Sequence, residues 1–291
     1  MKFVELECAR FCYDETGEDR DGTAIVLHGG RGIGDHRGEF AAFRPLADRY
    51  RVVAYDQRGC GLSSLSPPYT FERLADDVEA IRRYLTEQPI VLIGGSFGGM
   101  IALTYALRHP RGLTHLILRG TAPSHHHEAE AVATFKARLH KATSASIGMV
   151  EKMFSNSVVD DTELRLIWLA LQPLYYESFD PDAALERTRT MHLHAETHNA
   201  LFATKDYDLR DHLHEIAAPT LVICGAKDWI CPPSQSKIIA DRTPRGELLI
   251  VEGANHAVHQ EANALVIAAI RDFLARTGPI PATVDTTHKG T

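Results

Sequence analysis

The sequence has few cysteines, no surplus of positive charge and no long apolar run, and each shortage removes a class of protein. Its five cysteines (Cys8, Cys12, Cys60, Cys224 and Cys231) are odd in number and scattered over 291 residues. They form neither a disulfide framework nor the paired spacing of a zinc site, and they suit a reducing, cytoplasmic setting. Lysine and arginine total 31 against 38 aspartates and glutamates, a formal charge of −7. A nucleic-acid binder would carry a basic stripe instead, so no nucleic-acid partner is expected. No apolar stretch reaches the roughly eighteen residues that a membrane helix needs, so no membrane partner is expected either. The opening residues Met1-Lys2-Phe3-Val4-Glu5-Leu6-Glu7 alternate and carry acids, unlike a secretory signal. Repeats and low-complexity tracts are missing too. With 44% hydrophobic and 24% charged residues, the chain has the composition of a globular protein with a core of its own.

What is present is a rhythm of strands and helices. Thr23-Ala24-Ile25-Val26-Leu27 is a short apolar run closed by His28-Gly29-Gly30, the pattern of a buried strand ending in a glycine turn. Arg51-Val52-Val53-Ala54-Tyr55-Asp56 repeats it and stops at Gln57-Arg58-Gly59-Cys60-Gly61. Residues 70–85 predict a helix, because Phe71, Leu74, Val78, Ile81 and Leu85 fall three or four apart. Ile90-Val91-Leu92-Ile93 is the next strand, followed by Gly94-Gly95-Ser96-Phe97-Gly98-Gly99, an apolar helix over about 100–107 and a strand over 113–118. Alternation at this spacing predicts an α/β fold, a mostly parallel sheet with helices on both faces. Residues 2–13 predict an antiparallel hairpin at its edge.

After Thr121-Ala122-Pro123 the strand signal stops, and Leu164, Ile167, Trp168 and Leu171 follow helical spacing. Residues 124–208 are therefore expected to form a helical cap inserted after the sixth strand. The core would comprise residues 1–123 and 209–276, with strands over 219–224 and 247–251 and a last helix over about 261–275. Residues 277–291, rich in Pro, Gly and Thr, predict a loose tail.

The chemistry is concentrated in Gly94-Gly95-Ser96-Phe97-Gly98, which matches G-x-S-x-G between a strand and a helix. A turn that tight leaves room only for glycine two residues either side of the serine, and it lifts the hydroxyl to the positive end of the following helix. A serine hydroxyl is a weak nucleophile until a histidine takes its proton and an acid orients that histidine. The expected chain order is serine, acid, histidine. Asp228 lies one short loop after the strand over 219–224, and His256 stands likewise after the strand over 247–251. Asp206 and Asp208 are weaker rivals for the acid, since they precede the strand, and His259 is the local rival for the base. The backbone N–H groups of Phe97 and Gly30 are the expected oxyanion donors.

Three segments together carry a family resemblance. They are His28-Gly29-Gly30-Arg31-Gly32, Asp56-Gln57-Arg58-Gly59-Cys60-Gly61-Leu62-Ser63 and Gly94-Gly95-Ser96-Phe97-Gly98-Gly99. The chain resembles the proline iminopeptidase branch of the α/β-hydrolase superfamily, which typically shows HGGPG, DQRGxGxS and GGSxGG. Two features depart from that branch: Arg31 stands where it has proline, and the chain is shorter, the deficit falling in the cap. The resemblance implies the α/β-hydrolase fold and an aminopeptidase acting on short peptides or amides. It also implies a cap glutamate that holds the substrate's ammonium, for which Glu196 in Ala195-Glu196-Thr197-His198 is the candidate; Glu163, Glu177 and Glu186 are compositional alternatives. An esterase or lactonase using the same triad on a small apolar substrate is the other reading, favoured if Phe135, Met149, Met153, Phe154, Trp168, Tyr175, Tyr176 and Phe202 line the cap. His192, His194 and His198 fit no standard zinc spacing, and serine chemistry needs neither metal nor cofactor, so none is expected.

Overall fold

Apolar residues in consecutive strand positions point to opposite faces, so a strand that is apolar throughout needs cover on both sides. The computed structural model, which describes residues 1–278, meets that need. Its strands are β1 (Lys2–Leu6), β2 (Ala9–Thr16), β3 (Thr23–Leu27), β4 (Arg51–Tyr55), β5 (Ile90–Gly95), β6 (Leu113–Arg119), β7 (Thr220–Gly225) and β8 (Gly246–Val251). They form one eight-stranded sheet in the order β1-β2-β4-β3-β5-β6-β7-β8. The β1-β2 hairpin is antiparallel, β2 joins β4 antiparallel, and every later pairing is parallel.

The helices that follow β3, β4 and β5 are α1 (Arg37–Phe43), α2 (Phe71–Leu85) and α3 (Phe97–Arg108). Between β6 and β7 come α4 (His127–Arg138), α5 (Ile147–Met153), α6 (Asp161–Leu171), α7 (Pro181–Thr190) and α8 (Ala195–Phe202). The chain finishes with α9 (Pro233–Arg242), the single turn α10 (Val258–Glu261) and α11 (Asn263–Arg276). Ile25, Leu27, Val53, Tyr55 and Leu92 pack on one side of the sheet with α2, α3 and α9. Ala24, Val26, Val52, Ala54 and Ile93 pack on the other with Phe43 of α1 and Val266, Ile270 and Phe273 of α11. The helix read over 70–85 begins where Thr70 accepts a hydrogen bond from the Arg73 N–H at 3.1 Å, a side-chain cap. Sequence patterning missed α1 and α9. The first is a seven-residue helix containing Gly38, and the second carries Ser234, Gln235, Ser236 and Lys237 where a regular apolar stripe would reveal it.

The helices between β6 and β7 have a core of their own, including Phe135, Val150, Leu164, Ile167 and Leu171, and Trp229 of the β7 side is packed into it. The chain leaves the sheet and returns at one pinch: Ser124 bridges Asp208, and the Leu209 N–H donates to the Pro123 carbonyl at 2.8 Å. On the far side an Ile33–Leu193 bridge and a hydrogen bond from the His194 N–H to the Gly32 carbonyl (2.8 Å) lace these helices to the loop after β3. Thr277 accepts a hydrogen bond from His115 Nε2 at 2.7 Å. Residues 279–291 of the expected tail lie outside the described residues.

The Asp56–Ser63 segment is a brace. Asp56 accepts from the His36 N–H (2.8 Å), His36 Nδ1 (2.6 Å) and the Leu62 N–H (2.8 Å), while Gln57 Nε2 donates to the His28 carbonyl at 2.8 Å. Arg58 forms a fork with Asp77 of α2, both bonds 2.7 Å, and both side chains are almost fully buried. Removing one partner of such a pair strands a charge in the interior. Asp77→Ala should therefore cost about 3–5 kcal/mol in denaturant unfolding; a loss below about 1 kcal/mol would show the brace to be unimportant.

Burial also governs two histidines of these helices, His127 of α4 and His198 of α8. His127, whose Nδ1–H donates to the Ser124 carbonyl at 2.8 Å, is pulled down to about 4 by desolvation, and His198 likewise. Both rings stay neutral in the folded chain, whereas the unfolded chain takes up protons near pH 6.5. Their contribution to stability is thus full above that pH and falls as pH drops from about 6.5 toward 4, by on the order of 2 kcal/mol per ring. His127→Gln should flatten the decline of Tm over that window; an unchanged slope would contradict it.

Candidate active site

The sharpest feature of the sheet's carboxyl edge is Ser96, between β5 and α3. Its backbone stands at φ 52 and ψ −119, a region that costs an L-residue on the order of 1–3 kcal/mol. The turn is held on both sides: the Ser96 N–H donates to the Arg119 carbonyl at 2.8 Å, and the Ser96 carbonyl accepts from Thr121 Oγ1 at 2.7 Å. A Cβ on Gly98 would lie 2.5 Å from the Leu27 carbonyl oxygen, which is why the residue two beyond the serine has no side chain.

Asp228 and His256 come from the loops after β7 and β8. His256 Nδ1 lies 2.8 Å from Asp228 Oδ2, and both residues are buried. An ionised carboxylate only accepts hydrogen bonds, so Nδ1 carries the proton and Nε2 is left as an acceptor. The other carboxylate oxygen, Oδ1, accepts from the Ile230 N–H (3.1 Å) and the Cys231 N–H (2.9 Å), which fixes the acid. Asn255 Oδ1 accepts from the His256 N–H at 2.9 Å, and Tyr175 packs edge-on against the imidazole with ring centroids 5.4 Å apart. Ser96 and His256 line one cavity of about 510 Å³ between the sheet edge and the overlying helices.

Gly29 adjoins the serine and Gly30 lines the same cavity. A Cβ on Gly29 would come within 3.0 Å of the Ser96 Cβ and 3.7 Å of its Oγ, and Gly30 has φ 88. Among the described residues no acceptor takes the N–H of Gly30 or of Phe97, the first residue of α3. Both donors therefore remain available at the cavity. Cys231 also lines it, but burial pushes its thiol well above the ordinary range. It is a neutral thiol beside the serine and a poor rival nucleophile.

Several other sequence expectations resolve differently. Glu196 is not brought to the cavity: α8 turns Thr197, His198, Leu201 and Phe202 inward and leaves position 196 exposed. Its alternatives are elsewhere too, Glu163 paired with Lys152 at 2.5 Å and Glu177 with Lys227 at 2.9 Å. Glu186 lies on α7 and is also outside the cavity. Asp208 is engaged by Arg210 at 2.6 Å, and Asp206 accepts from Thr204 Oγ1 at 2.8 Å. His259 is stacked on Phe43 with Glu39 3.5 Å away. His194 bonds the Gly61 carbonyl (3.0 Å) and His198 approaches the Arg31 carbonyl (3.3 Å), so these rings serve the loop–cap contact. Of the apolar candidates, Met153, Phe154, Trp168, Tyr175, Tyr176 and Phe202 line the cavity, and Phe135 and Met149 do not.

Two positions went unread. Arg119 ends β6 and donates to the His256 carbonyl (3.0 Å) and to Glu39 Oε1 (2.6 Å), tying the histidine loop to the sheet. A charge closing a buried apolar strand was the available signal. Gly120 follows at φ 48, and a Cβ there would sit 2.8 Å from Asp228 Oδ2 and 3.3 Å from His256 Nδ1.

Comparison with known proteins agrees with this architecture. The family model described as alpha/beta hydrolase fold matches residues 24–262. The proline iminopeptidase PfmaB of Pestalotiopsis fici is 45% identical over 280 residues, covering 95% of this chain and all of the relative. An alpha/beta fold family hydrolase from Bacillus anthracis superposes with TM-score 0.76 at 24% identity, over 94% of this chain and 98% of that one. Est816, described as an N-acyl homoserine lactone degrading enzyme, superposes with TM-score 0.63 at 25% identity, over 94% of this chain and 100% of that one. Sheet order, strand–serine–helix turn and these likenesses place the protein: the chain belongs to the α/β-hydrolase family, in its proline iminopeptidase-like branch, and is a hydrolase.

Proposed function

We propose that the protein is a serine hydrolase working through an acyl-enzyme, with Ser96 as nucleophile, His256 as base and Asp228 as the acid that orients it. The observation that carries this reading is a serine on a strained turn, facing the cavity that is also lined by an imidazole held by a buried carboxylate. His256 Nε2 takes the hydroxyl proton as Ser96 Oγ attacks the substrate carbonyl. The developing oxyanion is met by the N–H groups of Phe97 and Gly30, at the positive end of α3. As the bond to the leaving group breaks, His256 returns the proton to it. A water then attacks the acyl-enzyme with the same imidazole as base, releasing the acid and restoring Ser96.

For the substrate, the cavity favours a carboxylic ester or lactone. Its wall is mainly aromatic and aliphatic, and the only two carboxylates among its described lining residues, Asp35 and Glu39, are each paired with an arginine, at 2.7 Å and 2.6 Å. No free acid among the described lining residues would hold an ammonium. Est816, the lactone-degrading likeness, supports the same direction. Aminopeptidase action on short peptides or amides is the second reading, supported by the proline iminopeptidase names of the curated relatives.

A two-substrate assay separates them. Purified protein should turn over a short-chain aryl ester and leave a proline anilide at background, with Ser96→Ala abolishing ester turnover. Anilide hydrolysis by the parent protein that Ser96→Ala removes would establish the aminopeptidase reading instead. Turnover retained by Ser96→Ala would refute the serine mechanism.

A further inference from the structure

The sequence departs from its branch at Arg31, and the structure gives that departure a place. Arg31 follows the Gly29-Gly30 loop, is only 8% exposed and lines the cavity. Its guanidinium lies over the rings of Phe202 (4.0 Å), Phe71 (5.4 Å) and Phe97 (5.8 Å). Two of its N–H groups are engaged, one by the Leu201 carbonyl at 3.0 Å and one by the Met100 sulfur at 3.4 Å. A guanidinium offers five. Among the described residues no carboxylate pairs with it, whereas Arg37 and Arg119 in the same wall each hold one. Glu128, whose charge reaches Arg31, is itself paired with Lys205.

The imbalance extends to the whole cavity. Four arginines and two acids line it, and the two acids are both taken. The fourth arginine, Arg187, is exposed on α7 and among the described residues meets only Gln172 Oε1 (3.3 Å) and the Tyr176 ring (5.2 Å). Burying an unpaired guanidinium costs several kcal/mol, and aromatic faces return only about 1–2 kcal/mol of that. Burial draws Arg31 down to about 10, which leaves it charged at neutral pH. A carboxylate would supply the missing partner, because its two oxygens match the guanidinium fork.

We propose that the substrate carries a carboxylate besides its scissile bond, and that Arg31, beside the oxyanion loop, is the residue that grips it. The inference rests on the reading of this cavity as the acyl-hydrolase site and specifies the class of ester, lactone or amide it takes. Arg31 here is a binding residue; it transfers no proton and forms no bond.

Binding, measured calorimetrically on full-length Ser96→Ala protein at neutral pH, tests it without requiring turnover. Phenylacetate should bind at least about tenfold more tightly than the neutral isostere phenylacetamide. Arg31→Met should bring that ratio close to one, and Arg31→Lys, which keeps the charge but loses the fork, should lower it severalfold. Equal affinities in the Arg31-containing protein overturn the proposal, as does a ratio that survives Arg31→Met. Should the methionine variant fail to fold, a ratio unchanged in Arg31→Lys overturns it equally. A carboxylate preference in a protein that hydrolyses nothing would refute the catalytic reading while leaving the anchor standing. Hydrolysis with no such preference would do the reverse.

Discussion

Everything at this site depends on one backbone conformation, that of Ser96. An L-residue at positive φ is held there against a cost on the order of 1–3 kcal/mol, and the surrounding structure is arranged to bear it. Parallel strands β5 and β6 bring the Ser96 N–H to the Arg119 carbonyl, and Thr121 takes the serine carbonyl on the other side. Because the turn opens directly into α3, the side chain leaves the sheet at the helix's positive end. Relaxing the serine into an ordinary helix or strand would turn its hydroxyl away from the cavity, and the position of the imidazole would then serve no purpose.

The same economy of parts runs through the supporting loops. Arg119 accepts the serine's N–H through its carbonyl and binds the His256 carbonyl through its side chain, so Ser96 and His256 are referenced to one residue. The Asp56–Ser63 brace holds the His28 carbonyl and thereby the loop bearing Gly30, while Arg58 fastens that brace to α2. The overlying helices are attached to the loop as well, through Ile33–Leu193 and the His194–Gly32 hydrogen bond. The Gly30 loop, the cavity roof and the Ser96 turn are therefore in direct contact. That contact gives a physical reason why specificity can diverge within a family whose sheet stays constant.

Much of this was legible in the sequence, and the limits are instructive. Short apolar runs closed by glycine located β3, β4 and β5, and loops beginning at strand ends located Asp228 and His256. In a parallel sheet, strand ends converge in space whatever their separation along the chain. Gly120 could not be read, because a Cβ there would come within 2.8 Å of Asp228 Oδ2, a distance with no counterpart in local pattern. Glu196 could not be placed for a related reason: likeness to a short motif does not say which side of α8 faces inward, and in the structure Thr197 and His198 are buried while Glu196 is exposed. Arg31 was visible as a departure, yet its meaning lies in the absence of a nearby carboxylate, which only three dimensions reveal.

The central claim is that Ser96 is a nucleophile activated by His256. Incubation with an aryl phosphonate followed by peptide mass spectrometry addresses it most directly. The account predicts one phosphonyl group, on Ser96, added at a rate that falls about a hundredfold or more in His256→Gln. A protein that stays unmodified, or one whose adduct sits on another residue such as Cys231, would contradict it.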